Sequence, residues 1–116
     1  MLLVDDDADV VEALTDILDG EGYEVEPAND GLSALVYLES HELPDIMILD
    51  LFMPNMNGWD LLRALRNNRE WAKIPIIVVS AFAHAQEVEA VADAVLSKPV
   101  DLDALLDSMS VMAAAH

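Results

Sequence analysis

Three acidic residues in a row, Asp5, Asp6 and Asp7, close the first apolar segment of the chain, and a lone Asp50 closes a later one. Ser80 closes a third apolar segment, and Lys98 closes the last, immediately before Pro99. Carboxylates drawn together repel one another and need a counter-charge. A hard divalent cation with oxygen ligands meets that need, and Mg2+ held by one or two carboxylates plus a substrate phosphate suits this set of residues. A carboxylate beside such an ion, a hydroxyl and an ammonium can act as a nucleophile toward phosphorus. The cation and the lysine would neutralise the equatorial oxygens during in-line transfer, leaving an acyl phosphate. Singly each residue is ordinary: acidic residues at a strand-to-helix junction cap helices, an Asp after a strand suits a turn, and Lys98-Pro99 is a plain strand exit. The chemical reading rests on all of them meeting at one edge.

That meeting requires a particular set of elements. Residues 2–4 read as a first strand, and the helix after it carries Val10, Val11, Leu14, Ile17 and Leu18 along one face, with Asp7 or Asp9 placed to cap it. Gly20 and Gly22 stop that helix. Residues 23–26 alternate and read as the second strand. A helix over 31–39 follows, then Pro44 and a third strand over 46–49. The stretch 51–58, with Pro54, Asn55, Asn57 and Gly58, reads as a loop. A helix over 59–67 buries Leu61, Leu62 and Leu65, and Pro75 introduces a fourth strand over 76–79. A short helix near 86–91 leads to a fifth strand near 94–97. The last helix, 102–112, buries Leu102, Leu105, Leu106 and Met109. Five strands alternating with five helices imply an α/β domain with a parallel sheet covered on both faces. In such sheets ligands bind beyond the carboxyl ends of the strands, where these residues fall.

Composition bounds the rest. The 116 residues are sized for one domain with one core. No apolar run approaches the ~18 residues of a membrane span, and no basic stretch or cleavage site marks a signal peptide. The absence of cysteine fits the cytoplasm. A formal charge of −18 argues against nucleic-acid binding, because phosphates would be repelled. Four of the five cations, Arg63, Arg66, Arg69 and Lys73, lie in one stretch, read as a solvated helix face or a contact for an acidic partner. Lys98 stands apart.

Leu3-Val4-Asp5-Asp6-Asp7, the segment from Ile48 through Asp50 and Pro54 to Gly58, Val79-Ser80-Ala81 and Ser97-Lys98-Pro99 together resemble the marks of response-regulator receiver domains, in the right order and across essentially the whole chain. The resemblance implies a single-domain, doubly wound (βα)5 fold with strand order 2-1-3-4-5. It implies that Asp50 is the phosphoacceptor, and that Asp5, Asp6 and Asp50 hold Mg2+ with the backbone carbonyl of Phe52. Ser80 would bond a phosphoryl oxygen, Lys98 would pair with Asp50 or its phosphoryl group, and Asp7 remains a cap. The implied donor is a sensor histidine kinase or a histidine phosphotransfer protein, and the implied output is a change of protein contacts rather than turnover of a substrate.

Three departures from the family pattern stand out. Val95 occupies the place, three residues before the lysine, that often carries an aromatic switch residue. The stretch from Ser80 to Lys98 is about four residues short, roughly one helical turn, so the fourth helix is expected to be truncated or irregular. Phe52 and Phe82 flank the route of attacking water, so an apolar shield and slow self-dephosphorylation are expected. His41, His84 and His116 have no other His or Cys beside them to build a zinc site. Met47, Met53, Met56, Met109 and Met112 read as core and loop filler. The rival readings are a pseudo-receiver that keeps the fold without phosphorylation, and a phosphohydrolase of the haloacid-dehalogenase kind. The latter needs a second Asp where this chain has Phe52.

Overall fold

The computed structural model describes residues 1–50, 58–80, 92–97 and 101–115. The chain runs through β1 (Leu2–Val4), α1 (Ala8–Gly20), β2 (Glu26–Ala28), α2 (Gly31–Ser40), β3 (Met47–Asp50), α3 (Gly58–Asn67), a 3-10 turn (Trp71–Lys73), β4 (Ile76–Ser80), β5 (Ala94–Ser97) and α4 (Leu102–Ala115). All strand pairs are parallel, and the sheet order is β2-β1-β3-β4-β5. The expected doubly wound sheet and its order are therefore present. The expected short helix near 86–91 lies outside the described residues, so four helices are described.

Period-two alternation in the strands divides the core into two layers. Leu2, Val4, Met47, Leu49, Ile76 and Val78 face α2 and α3, where they meet Ala34, Leu38, Leu61, Leu62 and Leu65. Leu3, Ile48, Ile77 and Val79 face the other way and pack with Leu14 and Leu18 of α1 and Leu105, Met109 and Met112 of α4. Each such fully buried aliphatic side chain stabilises the fold by about 1.5–3 kcal/mol.

The helix starts are set by acidic caps. Asp7 accepts from the backbone N–H groups of Asp9 and Val10 at the head of α1. Asp30 does the same for Ser33 in α2, and Asp101 for Ala104 in α4. Each satisfies a donor that a first helical turn leaves without a partner.

Two expectations are corrected, and one element is new. The second strand is Glu26–Ala28 rather than 23–26. Gly22 turns the chain at φ +93°, and the Tyr23 N–H still bonds back to the Leu18 carbonyl, so the chain is leaving α1 there. Tyr23 and Val25 pack on the core from the connector ahead of the strand, which reproduces a strand's alternation before the paired residues begin at Glu26. In α4 Leu102 is 37% exposed, because it is the first residue of the helix and lies at the end of the inward stripe that continues through Leu105, Met109 and Met112. The 3-10 turn was not expected; the Asn68 side chain caps it, accepting from the N–H groups of Glu70 and Trp71.

Candidate functional site

Register places the chemistry. Val4 pairs with Leu49, so Asp5 and Asp50, each one residue further on, sit level at the carboxyl edge. Asp50 is level with Val79, and Ser80 with Ser97 one step beyond. The edge falls where the chain reverses its direction of winding, since β1 leads outward to β2 on one side while β3, β4 and β5 follow on the other. Loops diverge at such a switch point and leave a crevice.

Asp5, Asp6 and Asp50 each bring a carboxylate oxygen to within 4.8 Å of the others. Asp5 and Asp50 are only 4% and 5% exposed, whereas Asp6 is exposed. Burying a carboxylate is costly without compensation, and two side by side compound the cost. Asp5 Oδ1 accepts the Asp7 N–H at 2.9 Å, which fixes that side chain as the chain turns into α1. Asp7 is thus the helix cap, and its side chain is turned to the first turn of α1 rather than to this cluster.

The donor set fits a hard divalent ion. Octahedral Mg2+ with bonds of about 2.0–2.1 Å spaces its ligand oxygens roughly 3–4 Å apart. Three carboxylate oxygens within 4.8 Å fall into that range with small side-chain adjustments. An open groove of about 610 Å3 reaches Asp5 and Asp6 between α1, at Val11 and Thr15, and the β2–α2 segment, at Pro27 and Asn29. The cluster is therefore open to solvent ions on that side.

Of the other expected site residues, Ser80 ends β4 at this edge. Lys98 follows directly on the last residue of β5 but lies, like Phe52, Phe82 and His84, outside the described residues. Val95 is half-buried against the α2–α3 layer. His41 is exposed and stacks on Tyr37 with ring centroids 4.0 Å apart. Met47, Met109 and Met112 are core residues as expected, and Met53 and Met56 lie outside the described residues.

Sequence reasoning missed one constellation. Arg66, grouped above with a basic helix face, points inward to Asp93 at 3.1 Å. Opposite charges separated by 27 positions leave no local pattern to find. Arg63, by contrast, lies 3.7 Å from Asp60 in an exposed i,i+3 pair of small energetic weight.

Comparison with known proteins agrees with this geometry. Residues 1–110 match the family model described as the response regulator receiver domain. The chain is 38% identical over 116 residues to the response regulator MprA of Mycobacterium avium, a match that takes in 97% of this chain and 50% of that protein. The MprA of Mycobacterium tuberculosis is matched to the same degree, over 49% of its length. The chain thus spans about half the length of these curated relatives. Among solved structures it resembles the signal receiver domain of a signal transduction histidine kinase from Syntrophus aciditrophicus, with TM-score 0.90, 28% identity, and coverage of 98% of this chain and 89% of that one. It also resembles the response regulator TrrA of Thermotoga maritima in complex with Mg2+-BeF, with TM-score 0.84, 29% identity and 96% of each chain covered. The chain belongs to the response-regulator receiver-domain family of two-component signalling.

Proposed function

We propose that this domain accepts a phosphoryl group on Asp50 from a histidine kinase or a histidine phosphotransfer protein, and signals through altered protein contacts. The observation that carries the reading is the gathering of the Asp5, Asp6 and Asp50 carboxylates at the switch point of a parallel sheet. Asp5, Asp6 and Asp50, with the backbone carbonyl of Phe52, would hold Mg2+. Bound there, the ion supplies positive charge against the phosphoryl oxygens.

The chain's own residues do the rest. An Asp50 carboxylate oxygen forms the new O–P bond as the P–N bond of the donor phosphohistidine breaks, and the electron pair of that bond returns to the imidazole. Asp50 is rooted in a strand paired on both sides, so its nucleophilic oxygen is presented with little freedom. Ser80 donates its hydroxyl hydrogen to a phosphoryl oxygen, and the Lys98 ammonium pairs with the same group. Receivers are not dedicated enzymes. The acyl phosphate is therefore a stored signal rather than a turnover intermediate. The work is proposed to take place in the cytoplasm; among the described residues no helix is long and apolar enough to cross a membrane.

The test is intact mass after incubation with acetyl phosphate, with and without Mg2+, for the wild-type chain and Asp50→Asn. One added phosphoryl group that requires both Mg2+ and Asp50 is expected. Equal labelling of Asp50→Asn would sink the reading.

A further inference from the structure

We propose that Arg66 and Asp93 are positioning residues for Lys98, holding the register of β5 from its far end; the proposal rests on the phosphoacceptor reading above. The four residues of β5 form an edge strand that pairs with β4 alone, and Ala94, Val95 and Leu96 are only half-buried. Its register is Ile77↔Ala94 through Ser80↔Ser97, and Lys98 is the next residue in the chain. A slip of one residue would turn every side chain of the strand to the opposite face and carry Lys98 with it. Half-buried edge strands resist such slips weakly, because little apolar area is lost in the shifted pairing.

The clamp lies where β5 begins. The Asp93 N–H donates to the Ile76 carbonyl at 2.9 Å, and the Ile76 N–H donates to Asp93 Oδ2 at 2.7 Å. The same carboxylate oxygen accepts from Arg66 Nη2 at 3.1 Å. Arg66 Nη1 in turn donates to the carbonyls of Ala72 at 2.9 Å and Ile74 at 3.2 Å. One guanidinium and one carboxylate thus tie the end of α3, the 3-10 turn, the start of β4 and the start of β5 together. The Arg66 side chain is 22% exposed and Asp93 39%, so the bonds to the Ile74 carbonyl and from the Ile76 N–H are part-buried while the ion pair itself meets water. Asp93 fixes the residue at which β5 starts, and the lysine follows five positions later in the chain.

The clamp lies where β4 and β5 begin, whereas the carboxylate cluster lies at the opposite, carboxyl edge of the parallel sheet, after β1 and β3. Losing it should therefore weaken the lysine's share of the reaction and leave the carboxylates' share intact. Arg66→Gln and Asp93→Asn are the variants of choice, since both keep a polar group of similar size and Asp93→Asn keeps an acceptor for the Ile76 N–H. Four quantities decide the matter: amide exchange of residues 94–97, Mg2+ affinity by calorimetry, the rate of labelling by acetyl phosphate, and that rate again in a Lys98→Ala background.

Faster exchange in β5 is expected, by about tenfold, with Mg2+ affinity within twofold of wild type. Labelling should slow about fivefold when Lys98 is present and should not slow further when it is absent, because a group acting through Lys98 has nothing left to position. An equal loss in both backgrounds would show general destabilisation and overturn the proposal, as would an unaltered rate or unaltered β5 exchange. A wild-type chain that gains no phosphoryl group overturns the phosphoacceptor reading and this role together. A labelled wild type with equal losses overturns the role alone.

Discussion

The two halves of the proposed site are built on unequal foundations. Asp5 and Asp50 leave β1 and β3, the strands at the middle of the sheet, and each of these strands is paired on both sides and buried throughout. Ser97, and Lys98 after it, leave β5, which is paired on one side and half-buried. The carboxylate half is held by the core itself, so its geometry is as robust as the fold. The β5 half depends on the strand's single partner and on the polar clamp at its start. A receiver must keep its phosphoacceptor fixed while its surface responds, and a rigid centre beside a softer edge divides those tasks physically. Local stability that varies in this way across one sheet is common, and it follows from how many buried contacts each strand makes.

Deleting core volume on either side breaks the comparison most severely. Leu49 is fully buried next to Asp50, and Leu49→Ala is expected to cost about 2–5 kcal/mol in a denaturant titration. Leu96→Ala, from a half-buried position on β5, should cost about 1–2 kcal/mol. Equal costs would mean that the edge strand is as firmly built as the centre.

Salt offers a gentler probe. A charge of −18 on a molecule with a radius of gyration of 12.8 Å places nearly all its acidic groups within reach of one another at low ionic strength. Screening shortens that reach from about 30 Å at 0.01 M to about 3 Å at 1 M, and self-repulsion of this kind destabilises the compact state. Raising KCl from 0.01 to 1 M should lift Tm by about 10 °C, equivalent to ~2 kcal/mol for a domain of this size. Amide exchange in β5 should slow more than exchange in β1 and β3. A flat or falling Tm would contradict the argument from charge.

The smallest expected effect separates the cap from the cluster. Asp7→Ala should cost about 1 kcal/mol through loss of the α1 cap. Its backbone N–H to Asp5 Oδ1 survives the change, so Mg2+ affinity should hold within twofold. A large loss of Mg2+ affinity would make Asp7 part of the metal site.

What could be read from sequence follows the same division. The central strands announce themselves through short apolar runs ending in Asp5 and Asp50, because burial on both faces leaves no room for polar residues. Even β5 was located correctly at 94–97, since Lys98-Pro99 punctuates its end. The second strand was misplaced because Tyr23 and Val25 are apolar at alternate positions for a different reason, packing a connector onto the core. Leu102 falls on the inward stripe by helical spacing with Leu105 and Met109, but as the first residue of α4 it lies at the end of that stripe and is 37% exposed. The Arg66–Asp93 clamp was illegible because it joins residues far apart in sequence, and Arg66 stands among cations that suggest a solvated face. Long-range polar pairs depend on topology, and topology is known only once the strands have been ordered.

The central claim, that Asp50 alone carries the phosphoryl group, is tested most directly by trapping it. Borohydride reduces an aspartyl phosphate to homoserine, so peptide mapping after labelling with acetyl phosphate and reduction reports the residue itself. The account predicts homoserine at position 50, dependent on Mg2+, with Asp5 and Asp6 unchanged. Homoserine at another acidic position, or none anywhere while a known receiver is converted alongside, would contradict it.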